Sequence, residues 1–255
     1  MATKVVDISY HNGDINFNQL KQAGVQLIIR CGYGNNSYSQ DDKKFNDYIT
    51  KALNLNIPTA LYIYSYATTT KEALSEADHI CRLAHNFRGK ISSTLWFDVE
   101  ENGSAKDNAL VNFETFRKAV NAMGWKAGLY TGENYFNTSK LTLIDNTVPL
   151  WIAKYGTNNG YAQTKPTLKG GKEVAMWQYT SKGKVQGING DCDISMCFKP
   201  YELFNTEVIE MDIDTALKIL VNKGVISTPE YWYNAIKCVK YLEDLLINMA
   251  KTYSE

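Results

Sequence analysis

No apolar run in this sequence approaches the roughly 20 residues of a membrane-spanning helix, so no membrane insertion is expected. Neither sign of charge dominates. Lys+Arg and Asp+Glu stand at 27 each, so no strong field would gather nucleic acid or an anionic membrane surface. Cysteine is sparse and odd in number: Cys31, Cys81, Cys192, Cys197 and Cys238 include no C-x-x-C pair. Cys192 and Cys197 are the closest two and have no histidine near them, which argues against a zinc site and for free thiols of a reducing compartment. The three histidines, His11, His79 and His85, lack H-E-x-x-H spacing and read as structural or surface residues. No metal and no cofactor are expected. No charged-then-apolar leader opens the chain, so the expectation is a soluble protein made in the cytoplasm without a signal peptide.

What the sequence does have is length, tyrosine and one acidic strand end. Its 255 residues allow one large domain with an appendage. Its 17 tyrosines and 5 tryptophans suit stacking on sugar rings, although such side chains also fill cores. The stretch Leu95-Trp96-Phe97-Asp98-Val99-Glu100-Glu101 reads as a buried strand that ends in carboxylates. Side chains alternate along a strand, so Asp98 and Glu100 share a face. Two such carboxyls suit a glycosidic bond, where one must hold a proton while the other stays charged. Taken alone, D-x-E reads more readily as a solvated acidic strand end with no task. Glu101 would face the other way and be solvated.

Around that stretch, strand and helix alternate. Strands are read at 5–9, 26–30, 58–66, 94–99, 126–130, 149–155, 174–179 and 193–198, with helices at 15–23, 41–55, 72–87 and 108–123. Short connections through the first five units argue a parallel sheet with helical crossovers. Eight strands suggest an irregular (β/α) barrel with few outer helices in its second half. An open doubly wound sheet is the rival, but no G-x-G-x-x-G follows the first strand. Barrel enzymes work at the carboxyl ends of their strands. Asp7, Tyr62, Tyr64, Asp98, Glu100, Tyr130, Trp151, Trp177, Gln178 and Asp193 all fall at such ends.

These residues fall in runs that resemble one family. Asp7-Ile8-Ser9 with Asn12-Gly13, Ala60-Leu61-Tyr62, Phe97-Asp98-Val99-Glu100, Leu129-Tyr130-Thr131, Pro149-Leu150-Trp151-Ile152-Ala153, Trp177-Gln178-Tyr179 and Gly183 to Ile194 resemble, in order, the motifs of glycoside hydrolase family 25. Those are the lysozymes (N-acetylmuramidases) common as phage endolysins. Ala60 stands where glycine is usual and Cys192 where valine is usual. The resemblance covers roughly residues 4 to 198. It implies hydrolysis of the β-1,4 bond between N-acetylmuramic acid and N-acetylglucosamine in bacterial peptidoglycan, leading to cell lysis. It implies Glu100 as general acid, with Asp98 orienting the substrate's own 2-acetamido group as nucleophile. Asp98 and Asp193 would stay ionised, and Asp7 would complete the acidic floor. Tyr62, Tyr64, Tyr130, Trp151 and Trp177 would contact substrate, the two tryptophans standing evenly between core and sugar platform. Lys154 reads as a surface or salt-bridged residue. A catalytically silent glycan binder, or a structural phage or wall protein on the same scaffold, is the alternative.

The chain divides at about 200. Residues 1–200 form the catalytic barrel, a linker runs to about Asn205, and 206–255 form a helical module. A helix at 214–223 precedes a long one from Ser227 or Thr228 to about Thr252, with Ile236, Val239, Leu242, Leu246 and Met249 on one stripe. So small a module buries little by itself. The stripe would bind wall, self-associate, or cap the barrel.

Overall fold

Along each strand the two side-chain faces part company. In the third, Leu61 and Ile63 turn outward while Ala60, Tyr62 and Tyr64 turn inward. Both faces are buried, the condition for a sheet that closes on itself under a coat of helices. The computed structural model describes residues 2–100, 108–206, 213–239 and 241–253. Glu101, expected to be solvated, lies outside them.

The order is β1 (Thr3–Ile8), α1 (Phe17–Gln22), β2 (Gln26–Tyr33), α2 (Phe45–Asn54), β3 (Thr59–Tyr64), α3 (Thr70–Ala84), β4 (Thr94–Asp98), α4 (Ala109–Ala122), β5 (Lys126–Gly132), α5 (Glu133–Thr138), β6 (Leu150–Ala153), β7 (Met176–Gly183) and β8 (Cys192–Cys197). The eight strands close into a barrel in sequence order, the expected α/β architecture. Among the described residues, α5 and short turns are the only helical segments between β5 and β8. β8 runs antiparallel to both β1 and β7. Asp193 therefore reaches the rim that carries Asp7 and Asp98 from the start of its strand, whereas the sequence placed it at an end.

Local signals explain the helices that are present. Thr69 opens α3 with a capping box, its hydroxyl accepting from the Glu72 N–H at 3.3 Å while Glu72 accepts from the Thr69 N–H at 3.0 Å. Ala73, Ala77, Ile80 and Ala84 then bury one stripe against the barrel. His79 has a structural task. Its ring nitrogens reach the Gly34 carbonyl at 3.0 Å and Asp41 at 2.8 Å.

The segment expected as a linker is instead a plug. It forms α6 (Pro200–Leu203) and seats Leu203, 3% exposed, among Val5, Ile28, Met176 and Cys197 at the barrel's lower end. The Ser92 hydroxyl donates to the Leu203 carbonyl, and the Ser93 N–H donates to the Asn205 carbonyl at 3.2 Å. Burying the Leu203 side chain contributes about 1.5–3 kcal/mol, reason enough for the chain to turn back.

Beyond it lie α7 (Ile213–Asn222), α8 (Pro229–Ala235) and α9 (Leu242–Thr252). The long helix expected from 228 to 252 is two helices. Tyr241 stands between them at φ 67°, a left-handed conformation costing roughly 1–2 kcal/mol. The break folds α9 onto α7, where Leu246 and Ala250 join Ala216, Leu217 and Leu220 in a core of their own. Val239, on the expected stripe, is left half exposed. α9 also touches the barrel's coat. Asp244 pairs with His85 at 3.3 Å, and Asn248 lies against Gly124.

Candidate active site

The floor of the site is aromatic. Trp151 is 1% exposed and makes edge contacts to Trp96 (ring centroids 5.7 Å), Tyr62 (6.2 Å) and Tyr130 (4.4 Å). Its indole N–H donates to the Ser195 hydroxyl at 2.9 Å. Trp96 rests directly on the backbone of Gly128, where an added Cβ would stand 2.5 Å from the ring. This layer seals the barrel beneath the acids.

Above it three strands deliver four carboxyls to one hollow. Asp7 on β1 and Asp193 on β8 are direct partners across the ladder. Asp98 on β4 lies in register with Tyr64 on β3 and Tyr130 on β5. Glu100, two residues further on, is half-buried and accepts a long hydrogen bond from the Tyr64 hydroxyl at 3.5 Å. Asp7 and Asp98 are 6% and 5% exposed. Asp7 accepts from the Gln178 amide at 3.0 Å, whereas Asp98 Oδ1 is buried with no donor among the described residues.

Burial sets the charge state. Loss of water raises the pKa of all four carboxyls, and for Asp7, Asp98 and Asp193 neighbouring negative charge adds to the effect. Asp193 is pushed up to about 6. For Asp98 the charges of Glu100 and Asp7 add to desolvation, and Arg30 alone pulls the other way. Glu100 is raised by desolvation against the Tyr64 hydrogen bond. The raised Glu100 agrees with the expectation for a general acid. Asp98 and Asp193, expected to stay ionised, are both pushed toward the protonated form, because so dry a hollow resists carrying four negative charges.

Two open hollows flank the acids. One, of about 430 Å³, is lined by Tyr10, His11, Arg30, Tyr33, Tyr64 and Tyr66. The other, of about 410 Å³, includes Glu100, Tyr130, Glu133, Lys154 and Tyr155. Arg30 stiffens the first: Asp42 accepts from its Nε at 2.9 Å, and its guanidinium sits 5.0 Å from the Tyr10 ring centroid and 5.9 Å from that of Tyr33. Lys154 pairs with Glu133 at 2.9 Å.

Of the expected site residues, Asp7, Tyr62, Tyr64, Asp98, Glu100, Tyr130 and Asp193 come together. Trp151 lies in the aromatic floor beneath them, packed as core. Trp177 points out of the barrel into the layer under the helices, 4% exposed, its indole N–H donating to the Lys154 carbonyl at 2.9 Å. Its neighbour Gln178 faces the acids in its place. Sequence reasoning put Gln178 at the right strand end but chose the aromatic beside it; the period of two allows only one of the pair to face inward. Arg30 and Tyr155 close the expected strands at 26–30 and 149–155 but were not singled out, since Arg30 is neither acid nor aromatic and Trp151 was chosen as the aromatic of the second strand.

Comparisons with known proteins agree with this geometry. The family model described as Glycosyl hydrolases family 25 matches residues 6–188, from β1 to the loop before β8. The autolytic lysozyme of Clostridium acetobutylicum is 26% identical over 232 residues, covering 87% of this chain and 67% of that protein. Lysozyme M1 of Streptomyces globisporus is 27% identical over 204 residues, covering 74% and 65%. The chain thus spans about two thirds of the length of these relatives. Among solved structures, the catalytic domain of endolysin ply40 from bacteriophage P40 of Listeria monocytogenes is 27% identical with a TM-score of 0.68, covering 77% of this chain and 93% of that one. A family match over most of the barrel, on a hollow of this make-up, places the chain in glycosyl hydrolases family 25.

Proposed function

We propose that this chain is a lysozyme-type peptidoglycan hydrolase that cleaves the β-1,4 bond between N-acetylmuramic acid and N-acetylglucosamine, as an endolysin or autolysin does. The observation that carries the assignment is the pairing of two unlike carboxyls at the end of β4. Glu100 is half-buried with a raised pKa, and Asp98 keeps a buried oxygen without a donor among the described residues.

In this reading Glu100 protonates the glycosidic oxygen as the C1–O bond breaks. The acetamido carbonyl oxygen of the same sugar closes on C1, while Asp98 Oδ1 accepts the acetamido N–H and steadies the charge that forms. Water then attacks C1, giving its proton to the Glu100 carboxylate, and the bond from C1 to the acetamido oxygen breaks, which restores the acetamido group with net retention at C1. Substrate assistance of this kind is a known departure from the two-carboxylate scheme. Asp7 and Asp193 complete the acidic floor. Tyr62, Tyr64 and Tyr130 line the cleft, and the hollows on either side of Glu100 take the sugars flanking the cut.

Residues 206–255 are a wall-targeting module in the same reading, with self-association of its helices as a second use. The enzyme assay tests the central claim. Purified protein should release reducing ends from bacterial walls, with N-acetylmuramic acid at the new end by mass analysis. Glu100→Gln should abolish release while wall binding persists. Turnover by the variant equal to wild type would remove the acid assignment.

A further inference from the structure

We propose that Gln178 is a positioning residue for the acidic floor: its amide, held by two phenol hydroxyls, presents one N–H to Asp7 and thereby sets how Asp7 and Asp193 share a proton. This rests on the reading of the hollow as the reaction site. The geometry is closed on one side. Gln178 Oε1 accepts from the Tyr130 hydroxyl at 2.7 Å and from the Tyr155 hydroxyl at 2.6 Å, which uses both of its lone pairs. Nε2 then has to face the other way, and it donates to Asp7 Oδ2 at 3.0 Å. The amide is 2% exposed, so water cannot substitute for these partners at low cost.

The orientation is coupled to charge. An ionised Asp7 only accepts, which the observed amide satisfies. A flipped amide would aim its oxygen at Asp7 and be satisfied only if Asp7 carried a proton to donate. Gln178 and its two phenols therefore favour the ionised carboxyl at β1, against the desolvation and the Asp193 charge that oppose it. Because the two acids are ladder partners, whatever favours charge on one favours the proton on the other. Tyr155 follows β6, Tyr130 lies on β5 and Gln178 on β7, so the bracket ties three separate stretches of the rim to the acid of β1.

Other titratable groups also act on Asp7, and the test has to separate them. Asp193 and Cys192 bear on it from β8, Asp98 and Glu100 from the end of β4, Tyr62 from β3, Tyr130 from β5 and Tyr155 from the loop after β6. Arg30 on β2 acts on the neighbouring Asp98.

The experiment compares wild type, Gln178→Met and Tyr155→Phe on soluble peptidoglycan fragments across pH, with circular dichroism melts to establish the folded fraction. Asp side-chain carboxyl ¹³C shifts are titrated in the same proteins. Loss of the amide donor should raise the Asp7 titration and move the acid limb of kcat to higher pH. Gln178→Met should lower kcat about tenfold or more, with KM within about threefold. Tyr155→Phe should move both readouts the same way by less. In an Asp7→Asn background, Gln178→Met should change kcat by less than about twofold. An Asp7 titration unmoved in Gln178→Met, or effects of Gln178→Met and Asp7→Asn that multiply, would overturn the assignment. Glu100→Gln is assayed alongside. Its retention of turnover would sink the reaction-site reading instead, and the ¹³C titration would still decide the role of Gln178.

Discussion

Asp7 and Asp193 stand opposite one another where β1 meets the reversed β8, so the first and last strands of the barrel set two carboxyls face to face. In an antiparallel pair such residues lie roughly 4.5–5.5 Å apart at Cα, close enough for each charge to resist the other. Desolvation and this repulsion raise Asp7, while desolvation and the Glu100 charge raise Asp193. The sign of the consequence for stability follows. Asp193 titrates at about 6 in the folded chain against an ordinary 3.8. The folded state therefore holds this proton more tightly, and the associated stability is full below pH 3.8 and is lost as pH rises through 6. Asp193→Asn removes that loss. It should stabilise the protein by about 1–3 kcal/mol at pH 7.5, since one pKa unit is worth about 1.4 kcal/mol, and raise Tm by several degrees. At pH 4 the gain should vanish. Thermal melts at the two pH values check this, and an equal gain at both would refute it.

The Tyr64 hydroxyl favours the charged form of Glu100, against the desolvation that favours the protonated form. Tyr64→Phe should therefore raise the Glu100 pKa further and carry the basic limb of kcat/KM to higher pH, because the acid form persists longer. A basic limb that stays in place, or moves down, would show that Tyr64 does not act on this proton.

Much of this site was legible because strand periodicity needs no tertiary information. Asp98 and Glu100 share a face by spacing alone, and Tyr62 and Tyr64 do the same on β3. What was not legible depended on register and direction. Trp177 and Gln178 are adjacent, and only the pairing Gln178↔Ser195, on the same face of β8 as Asp193, decides which one faces inward. The reversal of β8 left no trace in its own residues. Neither did the turn at Tyr241, where burial of Leu246 outweighs the local propensity for one long helix. Leu203 sits in a segment whose Pro200 reads as a linker, and only the open end of a barrel gives that leucine something to fill.

Tyr66 extends the aromatic wall beyond Tyr64, with ring centroids 5.0 Å apart, and is 52% exposed. Its backbone N–H donates to Glu76 at 2.8 Å, and the Ser65 hydroxyl donates to the same carboxyl at 2.7 Å. Under the proposed function, a wall residue set beyond Tyr64 from Glu100 would hold the glycan and not break it. Tyr66→Ala should raise KM about three- to tenfold, the worth of one aromatic contact, with kcat within about twofold. A fall in kcat at unchanged KM would place Tyr66 in the chemistry and not in binding.

The plug and the module can be separated by where the chain is cut. A truncation after Asn205 removes residues 206–255 but keeps Leu203 in the barrel and the Asn205 carbonyl on Ser93. It also uncovers the apolar surface around Met123 and Trp125 that α9 shields, so a modest loss of solubility is expected. Turnover on soluble fragments should stay within about threefold of the full chain, while wall binding falls by more, on the order of tenfold or above for a lost targeting contact. A truncation after Phe198 removes the plug as well. It leaves the Ser92 hydroxyl without its acceptor and opens a leucine-sized void among Val5, Ile28 and Met176, a loss of about 2–5 kcal/mol by comparison with leucine deletions in cores. That shorter protein should melt well below the longer truncation and lose turnover with its fold. Unchanged wall binding after the first cut would remove the targeting role, and equal melting of the two truncations would remove the plug.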